Sequence, residues 1–169
     1  MKTESKAVFL DTNVLIYQTF EDLDQEKHLH VCHVLKYLSE NNYKIYVSTQ
    51  VLREFFSIST NDRLFERPLE VEEALSKIDE FGNTFGVLYD NELSMAKLKE
   101  IVSKYKVCKK DIYDANIAAT MMANQLEGLF TFNIKDFELY DEIRLFKIEE
   151  DTETHEQDAL YVNNPGKEI

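Results

Sequence analysis

The fold of this 169-residue chain is decided by the stretch Val8-Phe9-Leu10-Asp11-Thr12-Asn13-Val14-Leu15-Ile16-Tyr17. Three apolar residues run directly into an aspartate, and a second apolar run follows with helical spacing, which predicts a buried strand, a tight turn and a helix. Asp11 then lies at the carboxyl end of a strand, the edge at which open parallel α/β sheets bind their ligands. Its carboxylate is suited to bind a cation there, and equally suited to cap the helix by accepting hydrogen bonds from the first free N–H groups. Both roles stay open from this stretch alone.

The composition is that of a single globular domain. Hydrophobic residues make up 44% of the chain and charged residues 30%, which are ordinary proportions for a chain of this length. No apolar run approaches the roughly 20 residues needed to cross a bilayer, and the N-terminus shows no apolar signal segment. Two cysteines, Cys32 and Cys108, are too few to form a disulfide framework. We therefore expect a cytoplasmic protein with no membrane partner.

The net charge of −13 argues at first against a nucleic-acid partner, because phosphate binding normally needs clustered Lys and Arg. Residues 149–169 contain seven acids and one base, which leaves 25 acids and 18 bases in residues 1–148. We predict a domain over 1–148 and an acidic, mobile tail over 149–169, since this segment has few apolar residues and an Asn-Asn-Pro-Gly turn signal. The dense basic run of the domain immediately precedes an acidic motif and consists of Lys104, Lys106, Lys109 and Lys110.

Along the rest of the chain, short apolar runs alternate with amphipathic segments of helical period. This alternation is typical of α/β folds with a parallel sheet. The run at residues 145–148 is expected to close the sheet as an edge strand. Residues 61–83 are predicted to form a helical hairpin at the side of the sheet, with Pro68 in a first helical turn, where its missing N–H is tolerated.

Four acidic residues fall at the carboxyl edge of the predicted sheet or on helices that lean over it: Asp11, Glu54, Asp114 and Asp136. Carboxylates gathered in this way repel one another unless a cation joins them, and oxygen ligands favour Mg²⁺ or Mn²⁺. Such a site promotes phosphodiester hydrolysis, because the metal lowers the pKa of a bound water and neutralises charge on the phosphate. Asp111, three residues before Asp114, either assists the metal or caps the helix, and the cap is favoured.

Four segments in this order resemble the PIN-domain nuclease family, and in particular its VapC-type toxins. They are Phe9-Leu10-Asp11-Thr12-Asn13, Arg53-Glu54-Phe55, Asp114-Ala115-Asn116-Ile117-Ala118-Ala119-Thr120 and Thr131-Phe132-Asn133-Ile134-Lys135-Asp136-Phe137. The resemblance covers the chain from about residue 7 to residue 148. It implies a three-layer α/β/α fold with a parallel sheet of four or five strands, and a metal-dependent endoribonuclease.

The resemblance also assigns roles to individual acids. Asp11, Glu54 and Asp114 match the first three acids of the family. Many members have an aspartate at the position of Asn133, whereas VapC-like members often pair an asparagine with a later aspartate, as Asn133 and Asp136 do here. The resemblance then implies that Asp11, Asp114 and Asp136 bind one ion and that Glu54 helps with a second ion or positions the attacking water, leaving a 5′-phosphate.

Supporting residues follow from the same resemblance. Thr131 matches a small hydroxyl residue that orients a carboxylate or water, and Asn13 holds the turn after the first strand. The basic run from Lys104 to Lys110 is either an RNA-backbone contact or a solvated loop. A toxin of this kind implies an antitoxin that fills the acidic cleft with a basic side chain, and homodimers are common among such proteins.

Two alternatives remain. Asn133 in place of an acid is consistent with a catalytically weak or inactive RNA-binding or protein-binding module. A phosphatase of the haloacid dehalogenase type also begins with a strand followed by aspartate, but it usually needs a second aspartate two residues on, where this chain has Asn13. The phosphatase is therefore disfavoured.

Overall fold

The structure, a computed structural model, describes residues 6–148 and the backbone of residues 159–162. The strands are β1 (Ala7–Leu10), β2 (Lys44–Ser48), β3 (Gly86–Leu88), β4 (Gly128–Phe130), β5 (Arg144–Ile148) and β6 (Ala159–Val162). The helices are α1 (Thr12–Thr19), α2 (Gln25–Glu40), α3 (Thr49–Ser59), α4 (Val71–Thr84), α5 (Glu92–Tyr105), α6 (Ile112–Ala123) and α7 (Ile134–Phe137), with short 3₁₀ helices at Glu21–Leu23 and Lys109–Asp111. Strands and helices alternate from β1 to β5, as the sequence predicts.

The strands form a sheet in the order β3-β2-β1-β4-β5-β6. Five of them, β1 to β5, make a parallel sheet flanked by helices, which confirms the predicted fold class. The expectation that β5 is the edge strand was wrong, because β6 pairs with it antiparallel, from Leu145 opposite Val162 to Ile148 opposite Ala159. An edge strand offers free N–H and C=O groups, and the β-prone run at 159–162 satisfies them. The rest of the predicted tail lies outside the described residues, so the domain boundary at 148 stays a prediction.

The chain divides into two compact units. Within the described residues, the first unit contains Lys6 and Leu10–Tyr89, and the second contains Ala7–Phe9 and the chain from Asp90 onward. Each unit is described by itself below.

In the first unit, α3 pairs with α4. The rings of Phe55 and Phe81 meet edge to face with centroids 5.1 Å apart, and both side chains are buried. The hairpin predicted within residues 61–83 was wrong, because residues 61–70 form a loop and the region contains one helix, α4. The Glu73 side chain accepts a hydrogen bond from the backbone N–H of Glu70 at 2.9 Å, and this cap starts the helix after Pro68 rather than at it.

In the second unit, α6 packs against α5. Its small residues Ala115, Ala118 and Ala119 are fully buried, as is Ile101 of α5. Alanines at these positions let two helices approach closely. None of the helices within residues 6–148 combines the length and apolar character that crossing a bilayer requires.

Candidate active site

Asp11 is the N-cap residue of α1 and is almost completely buried, with 5% of its surface exposed. Its Oδ1 accepts a hydrogen bond from the backbone N–H of Thr12 at 2.6 Å, and its Oδ2 accepts one from Nδ2 of Asn13 at 2.8 Å. The helix-capping role that the sequence left open is therefore present in the structure. It does not exclude cation binding, because each carboxylate oxygen has a second lone pair.

Glu54 is oriented by hydrogen bonds to both of its oxygens. Its Oε2 accepts a hydrogen bond from Oγ1 of Thr12 at 2.8 Å, and its Oε1 accepts one from Nε2 of Gln50 at 2.7 Å. Gln50 and Glu54 are four residues apart on α3, which places them on one helix face. Ser48 caps that helix by accepting from the N–H of Val51 at 3.3 Å. We call Asp11 and Glu54 the first acid set.

Thr12 joins the two carboxylates of the first acid set. Its backbone N–H donates to Asp11 and its hydroxyl donates to Glu54, although Thr12 and Glu54 are 42 residues apart in sequence. Thr12 and Gln50 are 4% and 6% exposed, so water competes little for these hydrogen bonds. The sequence analysis missed both residues. The four-residue spacing of Gln50 and Glu54 is a signal that points to their contact, whereas the contact between Thr12 and Glu54 has no local signal.

The second acid set consists of Asp111, Asp114 and Asp136, all in the second unit. Asp111 ends a 3₁₀ helix, Asp114 lies half-buried in the first turn of α6, and Asp136 lies exposed in α7. Burial is the main cause that raises the pKa of Tyr140 to about 12, and the negative charges of Asp114, Asp111 and Asp136 raise it further. The three acids therefore act electrostatically on one buried phenol.

Asp111 does not cap α6. Its backbone is already helical, with φ −64° and ψ −10°, and its side chain makes no capping hydrogen bond. An N-cap residue normally has extended backbone, but here the 3₁₀ helix Lys109–Asp111 runs directly into α6. The predicted cap was wrong, and a contribution of Asp111 to metal binding stays a prediction.

Thr131 and Asn133 form the turn between β4 and α7. The hydroxyl of Thr131, which is 8% exposed, accepts a hydrogen bond from the backbone N–H of Asn133 at 2.9 Å. The carbonyl of Asn133 in turn accepts one from the N–H of Asp136 at 3.1 Å. These hydrogen bonds fix the backbone that presents Asp136. The predicted role of Thr131 in orienting a carboxylate or water stays a prediction.

The basic run is not uniform. Lys104 lies 2.9 Å from Oε1 of Glu142 and 3.4 Å from Oδ2 of Asp141, so its charge is already paired. Lys109 and Lys110 are exposed in the 3₁₀ helix that leads to Asp111. The backbone of Lys109 has φ 54° and that of Lys106 has φ 56°, a conformation that is uncommon for residues other than glycine.

Asp90 is an acid that the sequence analysis did not single out. Its Oδ1 lies 3.3 Å from Nδ2 of Asn116 and 3.5 Å from Oγ1 of Thr120, which both belong to α6. An acid directly after the apolar run of a strand was the signal used for Asp11, and the same signal is present in Val87-Leu88-Tyr89-Asp90.

A groove of about 800 Å³ also lies in the first unit, lined among others by Gln18, Tyr43, Tyr46 and Phe85. It lies at the amino ends of β2 and β3, whereas Asp11 follows the carboxyl end of β1. None of the predicted site acids lines this groove.

The donors of both acid sets fit a hard divalent cation. They are carboxylate oxygens supported by hydroxyl and amide groups, and such oxygens are the ligands that Mg²⁺ and Mn²⁺ prefer. Within the part of the chain that the structure describes, no three His, Cys, Asp or Glu side chains are already grouped as a metal site. Mg²⁺ commonly binds through only one or two carboxylates and retains several waters, so the donor chemistry remains suitable.

The parallel sheet and the hydrogen-bonded aspartate at the end of β1 define an α/β protein with an acidic site at the start of its first helix. The sequence profile of the PIN domain matches residues 8–143. The chain therefore belongs to the PIN-domain family, as its sequence motifs predicted.

Solved structures share this fold. VapBC2 from Rickettsia felis, bound to a DNA fragment from its promoter, has a TM-score of 0.63 and 22% identity, over 82% of this chain and 96% of that chain. VapBC-1 from nontypeable Haemophilus influenzae has a TM-score of 0.60 and 19% identity, over 82% and 96%. VapC20 from Mycobacterium tuberculosis, a sarcin-ricin loop cleaving toxin, has a TM-score of 0.54 and 14% identity, over 76% and 92%. No curated protein matches the chain.

Proposed function

We propose that this protein is a divalent-metal-dependent endoribonuclease and the toxin of a toxin–antitoxin pair. Membership of the PIN-domain family is the observation that carries the proposal. The similar VapC20 is a sarcin-ricin loop cleaving toxin, and another similar structure is a toxin–antitoxin complex from Klebsiella pneumoniae. The acids at Asp11, Glu54, Asp114 and Asp136 follow in the order that the VapC-type resemblance implies.

Asp11, Asp114 and Asp136 are the proposed ligands of Mg²⁺ or Mn²⁺, with Glu54 as a further ligand or as the residue that positions the attacking water. When bound, such an ion lowers the pKa of water and neutralises charge on the phosphate. The chain's own contribution is positioning. Hydrogen bonds from Thr12, Asn13 and Gln50 hold the carboxylates of the first acid set in place, so that little side-chain entropy is lost when a ligand binds.

Partners and location belong to the same proposal. An antitoxin is expected to place an Arg or Lys side chain against the carboxylates, and a homodimer and a cytoplasmic location stay predictions. Copurification of the chain with a coexpressed candidate antitoxin, followed by measurement of the mass of the complex in solution, tests the partners. A complex that suppresses RNA cleavage is the expected result.

The Asp11→Asn variant tests the nuclease directly. Asn caps helices about as well as Asp and loses only the carboxylate charge and the hydrogen bond from Nδ2 of Asn13, so we expect the fold to be retained. We expect Mn²⁺-dependent cleavage of an RNA panel to fall by at least about 100-fold, since a metal ligand is worth more than the 10–100-fold typical of its supporting groups. The matched control is Asp79→Asn, which alters an exposed acid on α4. Unchanged cleavage by Asp11→Asn would remove Asp11 from the mechanism.

The exposed Asn133, at a position where many family members have an acid, favours a second candidate: an RNA-binding or protein-binding module with weak or no catalysis. Calorimetry with Mn²⁺ separates the two. A nuclease binds Mn²⁺ and loses that binding in Asp11→Asn, whereas an inactive module shows no such site and binds RNA equally well in both forms.

A further inference from the structure

Tyr140 has a buried hydroxyl group without a hydrogen-bond partner among the described residues. The residue is 1% exposed, and its ring packs edge to face against Tyr105, with centroids 5.3 Å apart, and near Phe137 at 6.3 Å. Buried tyrosine hydroxyls usually find a partner. Leaving one unpaired makes a folded protein less stable than pairing it would.

The neighbouring Tyr105 provides an internal comparison. Its hydroxyl donates to Oε2 of Glu142 at 2.8 Å and accepts from the backbone N–H of Asp141 at 2.9 Å. The two rings touch, yet one hydroxyl is satisfied and the other is not. A phenylalanine at position 140 would supply the same ring packing, so packing alone does not account for the hydroxyl of Tyr140.

The surroundings of Tyr140 indicate what its hydroxyl is suited to bind. The second acid set, Asp111, Asp114 and Asp136, acts electrostatically on this group. Asp114 lies in the first turn of α6 and Asp111 directly precedes that helix. Asp136 lies in α7, which ends three residues before Tyr140. A neutral phenol is a hydrogen-bond donor, and a donor within electrostatic range of these carboxylates is suited to a water molecule that one of them holds.

We propose that Tyr140 is a positioning residue of the second acid set, and that its hydroxyl donates a hydrogen bond to water that accompanies a divalent cation held by Asp114 and Asp136. The inference rests on the proposed function for the cation and for its ligands Asp114 and Asp136. Groups that support metal ligands in this way typically change metal affinity by 10–100-fold.

Mn²⁺ titration of the full chain by calorimetry, combined with urea unfolding without metal, tests the inference. In Tyr140→Phe, we expect the Mn²⁺ affinity to fall at least about 10-fold, while the unfolding midpoint without metal stays equal or rises, because an unpaired buried hydroxyl is removed. The matched control, Tyr105→Phe, loses paired hydrogen bonds, so it should unfold more easily and retain its Mn²⁺ affinity. Asp114→Asn serves as the reference for loss of binding.

Three results would overturn the inference: unchanged Mn²⁺ affinity in Tyr140→Phe, easier unfolding of Tyr140→Phe than of Tyr105→Phe, or no Mn²⁺ binding by the unmodified chain. A structural role alone would lower stability without the specific loss of Mn²⁺ affinity. RNA cleavage by the unmodified chain is measured separately. Weakened Mn²⁺ binding in Tyr140→Phe without any RNA cleavage supports the role of Tyr140 and contradicts the proposed nuclease.

Discussion

The two acid sets differ in how the protein holds them. In the first acid set, every carboxylate oxygen of Asp11 and Glu54 accepts a hydrogen bond from a neighbouring residue. In the second acid set, Asp136 is exposed and Asp114 half-buried, and the hydroxyl of the nearby Tyr140 is unpaired within the described structure. The first set is thus fixed by the protein itself. The second set keeps a donor available for a ligand.

The supporting elements explain this difference. The first acid set is built on the turn from β1 to α1 and on the 11-residue helix α3. The second includes α7, which has only four residues. A helix of that length is not stable alone, so the burial of Phe137 and Tyr140 holds it. Contacts with a ligand are therefore expected to affect the second acid set more than the first.

Thr12→Val breaks the first acid set at the residue that joins its carboxylates. Valine keeps the size and branching of threonine but cannot donate the 2.8 Å hydrogen bond to Glu54. We expect RNA cleavage to fall by about 10–100-fold and the free energy of unfolding to fall by about 1–2 kcal/mol. Cleavage rates and urea unfolding measure the two effects.

Thr19→Val is the matched control for this change. Thr19 is also on α1, but its hydroxyl donates to the carbonyl of Leu15 at 2.8 Å, so cleavage should stay near that of the unmodified chain. Equal losses of cleavage in the two variants would show that the contact between Thr12 and Glu54 has no special role.

High pH probes the second acid set through Tyr140. The pKa of Tyr140, raised to about 12 chiefly by burial and then by Asp114, Asp111 and Asp136, compares with about 10 in an unfolded chain. Below about pH 10 the phenol is protonated in both states. Between about pH 10 and 12 the unfolded chain releases the proton first, so stability falls with rising pH, by at most about 2.7 kcal/mol from this group.

Urea unfolding of the unmodified chain and of Tyr140→Phe at about pH 9 and about pH 11.5 isolates this contribution. Relative to the unmodified chain, Tyr140→Phe should be more stable at about pH 11.5 than it is at about pH 9. Tyr113→Phe, at a position that is 61% exposed, is the matched variant for an exposed phenol. A pH-independent difference for Tyr140→Phe would mean that its phenol is not in a buried, acidic environment.

Local patterns were enough to predict much of the fold and to place Asp11 and Glu54 within it. The apolar run ending at Asp11 gave β1 and α1, and the helical spacing after Ser48 placed Glu54 on α3. These signals succeed because a buried strand and an amphipathic helix are encoded by residues within a few positions of one another. The alternation of strands and helices followed from repeating the same argument along the chain, whereas the family followed from the resemblance of four motifs.

The remaining features depend on contacts that local patterns do not encode. Thr12 meets Glu54 because α1 packs against α3, and Asp111 fails to cap α6 because the preceding 3₁₀ helix sets its backbone. The prediction of a helix before α4 was wrong: Pro68 is compatible with a first turn, but the helix begins only after Glu70, which Glu73 caps. Tyr140 resembles an ordinary core aromatic until its neighbours in space are known.

The basic run from Lys104 to Lys110 gives the smallest expected effect. It contains two kinds of lysine, one whose charge is paired and others that are exposed. Hydrogen bonds to Tyr105 and Glu142 raise the pKa of Lys104 well above its usual range, and its charge is paired with Asp141 and Glu142. Lys109 and Lys110 precede Asp111 in an exposed 3₁₀ helix. If the run contacts RNA, these two lysines are the better candidates.

We expect Lys110→Ala to weaken RNA binding a few-fold and to reduce the salt dependence of log K by about 0.7, the value for one single-strand phosphate contact. Lys104→Ala should leave that slope unchanged, because its charge is already compensated within the protein. Binding is measured by fluorescence anisotropy against salt concentration in the Asp11→Asn background, so that cleavage does not consume the RNA. If both variants have the same slope as the Asp11→Asn protein with its lysines intact, the whole run is a solvated loop. A reduced slope in Lys104→Ala would mean that RNA displaces the two carboxylate partners of Lys104.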